Sequence, residues 1–261
     1  MKTLRDALII LGLFIGGWIL FSYLPWFSEE GGRVISVEQE SELGDLLSEV
    51  ALSDYDLDRF EGTAPDSALE RITDHLLESY GLTEYDYNFY LVQEEVVNAF
   101  ALPGGNIVVL SGLMDFAEGP EEVAAVLAHE IGHIEQAHVL DRLMAEFGLT
   151  ILFSVLSGGD AMIISELVQS LMSSSFSRRQ EAEADDFALN LLEKSRINPH
   201  ALGTFFRRLK REQGDWDSTL EPILSHPSLN SRIKKSLEFK LDPNFQAVDF
   251  KIDWERVREQ I

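Results

Sequence analysis

The sequence predicts an α+β fold, mostly helical, with a small antiparallel sheet. Three observations predict it. Apolar residues recur at helical spacing, as in Leu69, Ile72, Leu76 and Leu77. Between residues 88 and 110 the pattern changes to β-branched and aromatic residues, broken by the turn chemistry of Pro103-Gly-Gly-Asn106. Helical patterning then resumes at Pro120 and dominates the rest of the chain.

In chain order, Ala7 to Phe27 is an apolar run of roughly 20 residues, the length that crosses a bilayer as a helix. Lys2 and Arg5 precede it, and Glu29 and Glu30 follow. The positive-inside rule keeps residues 1–6 in the cytoplasm and sends the remainder across. Trp18, Tyr23 and Trp26 suit the outer interface. The rival is a cleaved signal peptide, but the run is long for one and no A-x-A-like site follows. Residues 28–62 are acidic and read as a linker followed by a helix around Ser41 to Leu52. Residues 63–261 are expected to form the main domain.

Pro65 opens an amphipathic helix that Gly81 stops. His75 lies beside its apolar stripe and reads as a boundary residue. Three antiparallel strands are expected at Asn88–Val92, Val96–Leu102 and Ile107–Leu110. Gly119-Pro120-Glu121-Glu122 is a helix start, with proline in the first turn and acids at the positive dipole end. Gly148 to Met172 is apolar, but Gly158, Gly159 and Asp160 interrupt it too early for a membrane span. It reads as two helices with a hinge. Further helices are expected from Phe176 to Lys194 and after Pro199. Alternation at Val248, Phe250, Ile252 and Trp254 predicts a late strand.

Composition excludes several functions. The net charge of -24 leaves nothing to neutralise a phosphate backbone, so no nucleic-acid partner is expected. The chain has no cysteine, which removes disulfides, cysteine nucleophiles, cysteine-ligated zinc and a lipoprotein anchor.

The stretch Val126 to His138, VLAHEIGHIEQAH, carries the chemistry. On a helix, His129 and His133 project from one face and can share one ion. Glu130 is turned away by roughly 100°, where it can take a proton from a water rather than bind the ion. Ala124, Ala125, Ala128 and Gly132 make the helix small-sided. Gly132 costs about 1 kcal/mol in a helix interior, which calls for a packing or functional reason. A catalytic zinc needs a third protein ligand. A histidine at 139 and a glycine at 136 would make a metzincin, but Val139 and Gln136 stand there. His138 falls nine residues after His129, on the opposite side of a continuous helix, and reads as structural. Glu181 and Asp185 share a face of a later helix, whereas Glu183 points elsewhere. Glu181 can ligate while Asp185 hydrogen-bonds a ligand histidine. The other reading of Glu181-Ala-Glu-Ala-Asp-Asp is a solvated acidic face.

Four blocks, NAFALPGGNIVVLSGL, EEVAAVLAHEIGHIEQAH, SRRQEAEAD and HPSLNSRI, resemble the HtpX-like and CAAX prenyl protease type family of gluzincin zinc metallopeptidases. The resemblance covers Ala64 to Ile233. It implies a zincin-type fold and one zinc ion held by His129, His133 and Glu181. Glu130 would be the catalytic base and Asp185 the carboxylate behind a ligand histidine. Asn98 and Ala99 would border the substrate cleft. His226 would sit near the zinc, either donating to the oxyanion or latching the site, with Arg232 buttressing its loop. A single expected span makes the chain most similar to the periplasmic quality-control and Oma-type members. The expectation is a zinc endopeptidase anchored in the cytoplasmic membrane, with its catalytic domain outside, acting on misfolded or misassembled envelope polypeptides. The alternative is an assembly factor or chaperone using the same groove.

Overall fold

The computed structural model describes residues 34–173, 175–212 and 229–261. The chain divides into two compact units, 1–36 and 37–261. Only Val34, Ile35 and Ser36 of the first are described, so the expected anchor, Ala7 to Phe27, lies outside the described residues. No helix among the described residues is long and apolar enough to cross a membrane.

The second unit is helical around one small sheet. Helix α1, Val37–Leu52, starts four residues before the expected position. Helix α2, Ala64–Tyr80, runs from a Thr63 cap, whose hydroxyl accepts from the Asp66 N–H, to Gly81 at φ 95°. Strands β1 (Asn88–Val92), β2 (Ala99–Ala101) and β3 (Asn106–Leu110) form a sheet of order β1-β3-β2. The all-antiparallel expectation is corrected: β1 pairs with β3 in parallel, Asn88 against Asn106, and only β2 pairs antiparallel. After β1 the chain crosses the end of β3 instead of turning back beside β1. The Gly112 N–H and the Ser111 hydroxyl both bond Glu94 O, at 2.8 and 3.0 Å, and pin the crossing. The chain then descends on the far side as β2, which is shorter than the expected Val96 to Leu102.

The turn from β2 to β3 needs its glycines. Gly104 has φ 71°, and a β-carbon there would lie 2.5 Å from Ser41 Cα. Glu40, 1% exposed, accepts from the Tyr85 hydroxyl at 3.0 Å beside this turn.

Helix α3 (Ser111–Phe116) leads into α4, Pro120–Glu135, which is buried from Glu122 to Ile134. A helix apolar on every side belongs in the centre, and α4 is fixed there at both ends. Near its start, Glu122 is paired with Arg208 and Arg208 also bonds Phe116 O at 3.0 Å. At its end, Glu135 accepts from Thr83 and Tyr87 hydroxyls at 2.6 and 2.8 Å. The chain then breaks at Ala137, which adopts the left-handed conformation at φ 54°, ψ 22°. For alanine this conformation costs about 1–2 kcal/mol.

Helices α5 (His138–Phe147), α6 (Leu149–Leu156) and α7 (Ala161–Ser173) follow. The last two are the expected pair with a glycine hinge. Helix α8, Arg178–Lys194, starts from a capping box of Ser177 and Gln180. Helices α9 (His200–Glu212), α10 (Leu229–Leu237) and α11 (Trp254–Glu259) complete the chain. The expected late strand is corrected. Residues 248–253 alternate in burial, with Phe250 6% exposed, but no strand among the described residues pairs with them. Alternation reports an extended chain with one face against the protein; it cannot report a ladder partner.

Candidate active site

Helix α4 places His129 and His133 one turn apart, and α8 lies against them. The approach is close because Gly132 has no side chain. A β-carbon on Gly132 would stand 3.0 Å from Ala184 O and 3.2 Å from Ala184 Cα. This is the packing reason that a glycine in a helix interior calls for. Ala184 is fully buried, and Glu181 and Asp185 on the same helix turn inward.

His129 Nε2 and His133 Nε2 lie 3.1 Å apart. Glu181 Oε2 is 3.6 Å from His129 Nε2, and Glu181 Oε1 is 3.5 Å from His133 Nε2. The three residues are 2%, 0% and 1% exposed. A tetrahedral zinc with bonds of 2.0–2.2 Å has ligand–ligand edges of about 3.4 Å, so the observed spacings fit the ion. Two imidazoles and a carboxylate are also the donor chemistry that zinc takes. Among the described residues no other group of three His, Asp or Glu side chains converges this way.

Asp185 supports the first of these histidines: its Oδ1 is 3.1 Å from His129 Nδ1. Burial and the Arg232 guanidinium press the His129 pKa down, but the bonds to Asp185 and Glu181 outweigh them and lift it to about 9. Burial would raise Asp185, yet Arg232 and His129 hold its carboxyl well below the usual carboxylate range. Arg232 grips Asp185 through Nε and Nη2 at 2.9 and 2.8 Å and reaches Glu181 Oε2 through Nη1 at 2.7 Å. Its guanidinium carbon lies 4.2 Å over the Phe206 ring. The loop it was expected to buttress, with His226, lies outside the described residues.

Glu130, 3% exposed, accepts from the Ala101 N–H of β2 at 3.1 Å. Asn98 and Ala99 line a cavity of about 20 Å³ with Glu130 and His129. His138 departs from its expected place. The break at Ala137 turns it back, and its Nδ1 lies 3.1 Å from His133 Nδ1. Its other nitrogen lies 3.1 Å from Glu183 Oε2. Burial pushes the His138 imidazole pKa down, against the pull of Glu183. Phe176 stacks on the His133 ring at 3.8 Å. Nothing in the local sequence singles out Phe176 or joins Glu183 to His138.

The model of peptidase family M48 matches residues 63–239. The chain belongs to that family. Among relatives of this M48 chain, a β-barrel assembly-enhancing protease of Yersinia pestis is 25% identical, over 87% of the chain and 50% of that protein. The mitochondrial metalloendopeptidase OMA1 of Schizosaccharomyces pombe is 24% identical, over 90% of the chain and 72% of that protein. The metalloprotease LoiP of Escherichia coli is 38% identical, over 56% of the chain and 59% of that protein. The chain thus spans about half the length of the Yersinia protein.

Proposed function

We propose that this chain is a membrane-anchored zinc endopeptidase whose catalytic domain faces the extracytoplasmic space. The observation that carries the reading is the convergence of His129, His133 and Glu181, with Glu130 beside them. Zinc held by these three residues would supply Lewis acidity toward the scissile carbonyl. Glu130 takes a proton from the attacking water and returns it to the leaving amine. The Ala101 N–H orients its carboxylate for that task. Asp185 fixes the His129 proton on Nδ1, which turns the Nε2 lone pair toward the ion. Among the described residues strand β2 is at the edge of the sheet beside the cavity, so an extended peptide adds along it past Asn98 and Ala99.

The substrates are polypeptides, and misfolded or misassembled envelope proteins are the proposed class. A relative named for β-barrel assembly supports that class. Residues 7–27 are the proposed single span, with residues 1–6 inside, on the strength of their apolar length and flanking charges.

Glu130→Gln in the full-length chain tests the reading. Fold and one zinc per chain should remain, while turnover of an unfolded protein falls by about 10²-fold or more. Unchanged turnover would refute the assignment of Glu130.

A further inference from the structure

We propose that His138 and Glu183 form a hydrogen-bonded relay that orients His133, making both positioning residues for the metal site. The inference rests on the zinc reading of His129, His133 and Glu181.

Proton bookkeeping along the chain of contacts leads to it. His133 Nε2 faces His129 Nε2 at 3.1 Å and Glu181 Oε1 at 3.5 Å. If that nitrogen keeps its lone pair for an ion, the ring proton sits on Nδ1. His133 Nδ1 is 3.1 Å from His138 Nδ1, and two nitrogens at that distance share one proton. His133 is therefore the donor and His138 Nδ1 the acceptor. A neutral His138 then carries its own proton on Nε2. That nitrogen lies 3.1 Å from Glu183 Oε2, a group that only accepts. The reverse assignment sets the lone pair of His138 Nε2 against the Glu183 carboxylate. One tautomer of each ring satisfies these contacts together, and the carboxylate at the outer end selects it.

The geometry around the relay supports the same role. Phe176 stacks on the face of His133 with an interplanar angle of 21° and restrains its tilt, while the contact to His138 Nδ1 restrains its rotation. His138 supplies that contact only because Ala137 reverses the chain between α4 and α5. Glu183, with a side chain 38% exposed, stands between His138 and Arg179, four residues before it on α8. Arg179 Nη1 holds its other oxygen at 3.0 Å. The arrangement mirrors the other ligand, where Asp185 meets His129 Nδ1 directly. Helix α8 thus reaches both ligand histidines, one through Asp185 and the other through Glu183 and His138.

The test uses the full-length chain, its His138→Phe and Glu183→Gln variants, and the double variant. Zinc affinity is read by competition with a chromophoric chelator, and near-UV circular dichroism reports the fold. The His138→Phe variant should bind zinc about 10-fold or more weakly with its fold retained. The Glu183→Gln variant should weaken binding severalfold in the wild-type background and not at all in the His138→Phe background. Equal loss in both backgrounds would overturn the relay, as would wild-type affinity in His138→Phe. Nitrogen-15 spectra of labelled histidine read the tautomers directly, whether or not zinc is bound. A proton on His138 Nε2 supports the relay, and one on Nδ1 overturns it. A wild-type chain that binds no zinc would instead sink the metal reading beneath it.

Discussion

Enlarging Gly132 tests whether the approach of α8 to α4 sets the site. A β-carbon at Gly132 would meet Ala184 O at 3.0 Å, and Ala184 Cα and Phe187 Cβ at 3.2 Å each. Those neighbours must retreat by a few tenths of an ångström for alanine to fit. Glu181 rides on the same helix, and ligand distances tolerate only about 0.2 Å. Gly132→Ala gains about 1 kcal/mol of helix propensity. It meets about 1–3 kcal/mol of overpacking. Net stability should therefore be unchanged or fall by up to about 2 kcal/mol. Zinc affinity should fall even where stability does not. Gly132→Leu adds three further carbons into the same gap and should move Glu181 out of range. Its zinc affinity should drop by more than about 100-fold, beyond the loss expected for an outer contact. Competition with a chromophoric chelator measures the affinity, and urea melts of the metal-free chains measure stability. A Gly132→Leu chain that is folded and binds zinc like the wild type would refute the reasoning. The same affinity in Gly132→Ala and wild type would show that α8 gives way without moving Glu181.

Chelation of the wild type should lower its melting temperature, since an ion bound only to the folded state adds RT ln(1 + [L]/Kd) of stability. Restoring zinc should reverse the change, and a melting temperature indifferent to chelator would count against the site. Arg232→Met removes the buried cation between Glu181 and Asp185, which should cost the metal-free chain about 3–5 kcal/mol in urea melts. Zinc places another cation beside Glu181, so the loss should shrink when it is present; equal losses would show that the two do not share that carboxylate. A reporter fused after Ile261 should be active only outside the cytoplasm, and cytoplasmic activity would overturn the proposed orientation.

How much the sequence disclosed depends on which contacts are local. The pairs His129–His133 and Glu181–Asp185 are each four apart on one helix, so their shared faces follow from helix geometry alone. The direction of β1 does not. Its residues suit a hairpin or a crossover equally, and the decision falls to Glu94 meeting Ser111 and Gly112 across the end of β3. His138 was misplaced for a similar reason. Helical patterning runs through Gln136 and Ala137 without glycine or proline, so nothing marks the left-handed residue that turns His138 back toward His133. Glu183 does point away from Glu181, but that direction leads to His138.

The two readings of Glu181-Ala-Glu-Ala-Asp differ in burial, and burial also bears on function. A solvated acidic face would leave these acids in water, whereas Glu181 and Asp185 are 1% and 2% exposed. Burying a carboxylate costs several kcal/mol unless a cation and hydrogen bonds offset it. Arg232 touches both acids, and His129, whose pKa these acids raise, lies against both. Two buried acids thus meet one permanent cation and one that depends on a proton. An ion held by His129, His133 and Glu181 would take over the role of that proton, because a ligating imidazole must be neutral. The alanines do complementary work: Ala184 on Gly132 brings the helices together. Glu181 and Asp185, flanking that contact, then have no route to water. A fold with no use for a cation at this point would gain by exchanging the acids for apolar residues of similar size. Their presence, buried and convergent on two histidines, is the physical argument that this part of the molecule is built to hold an ion.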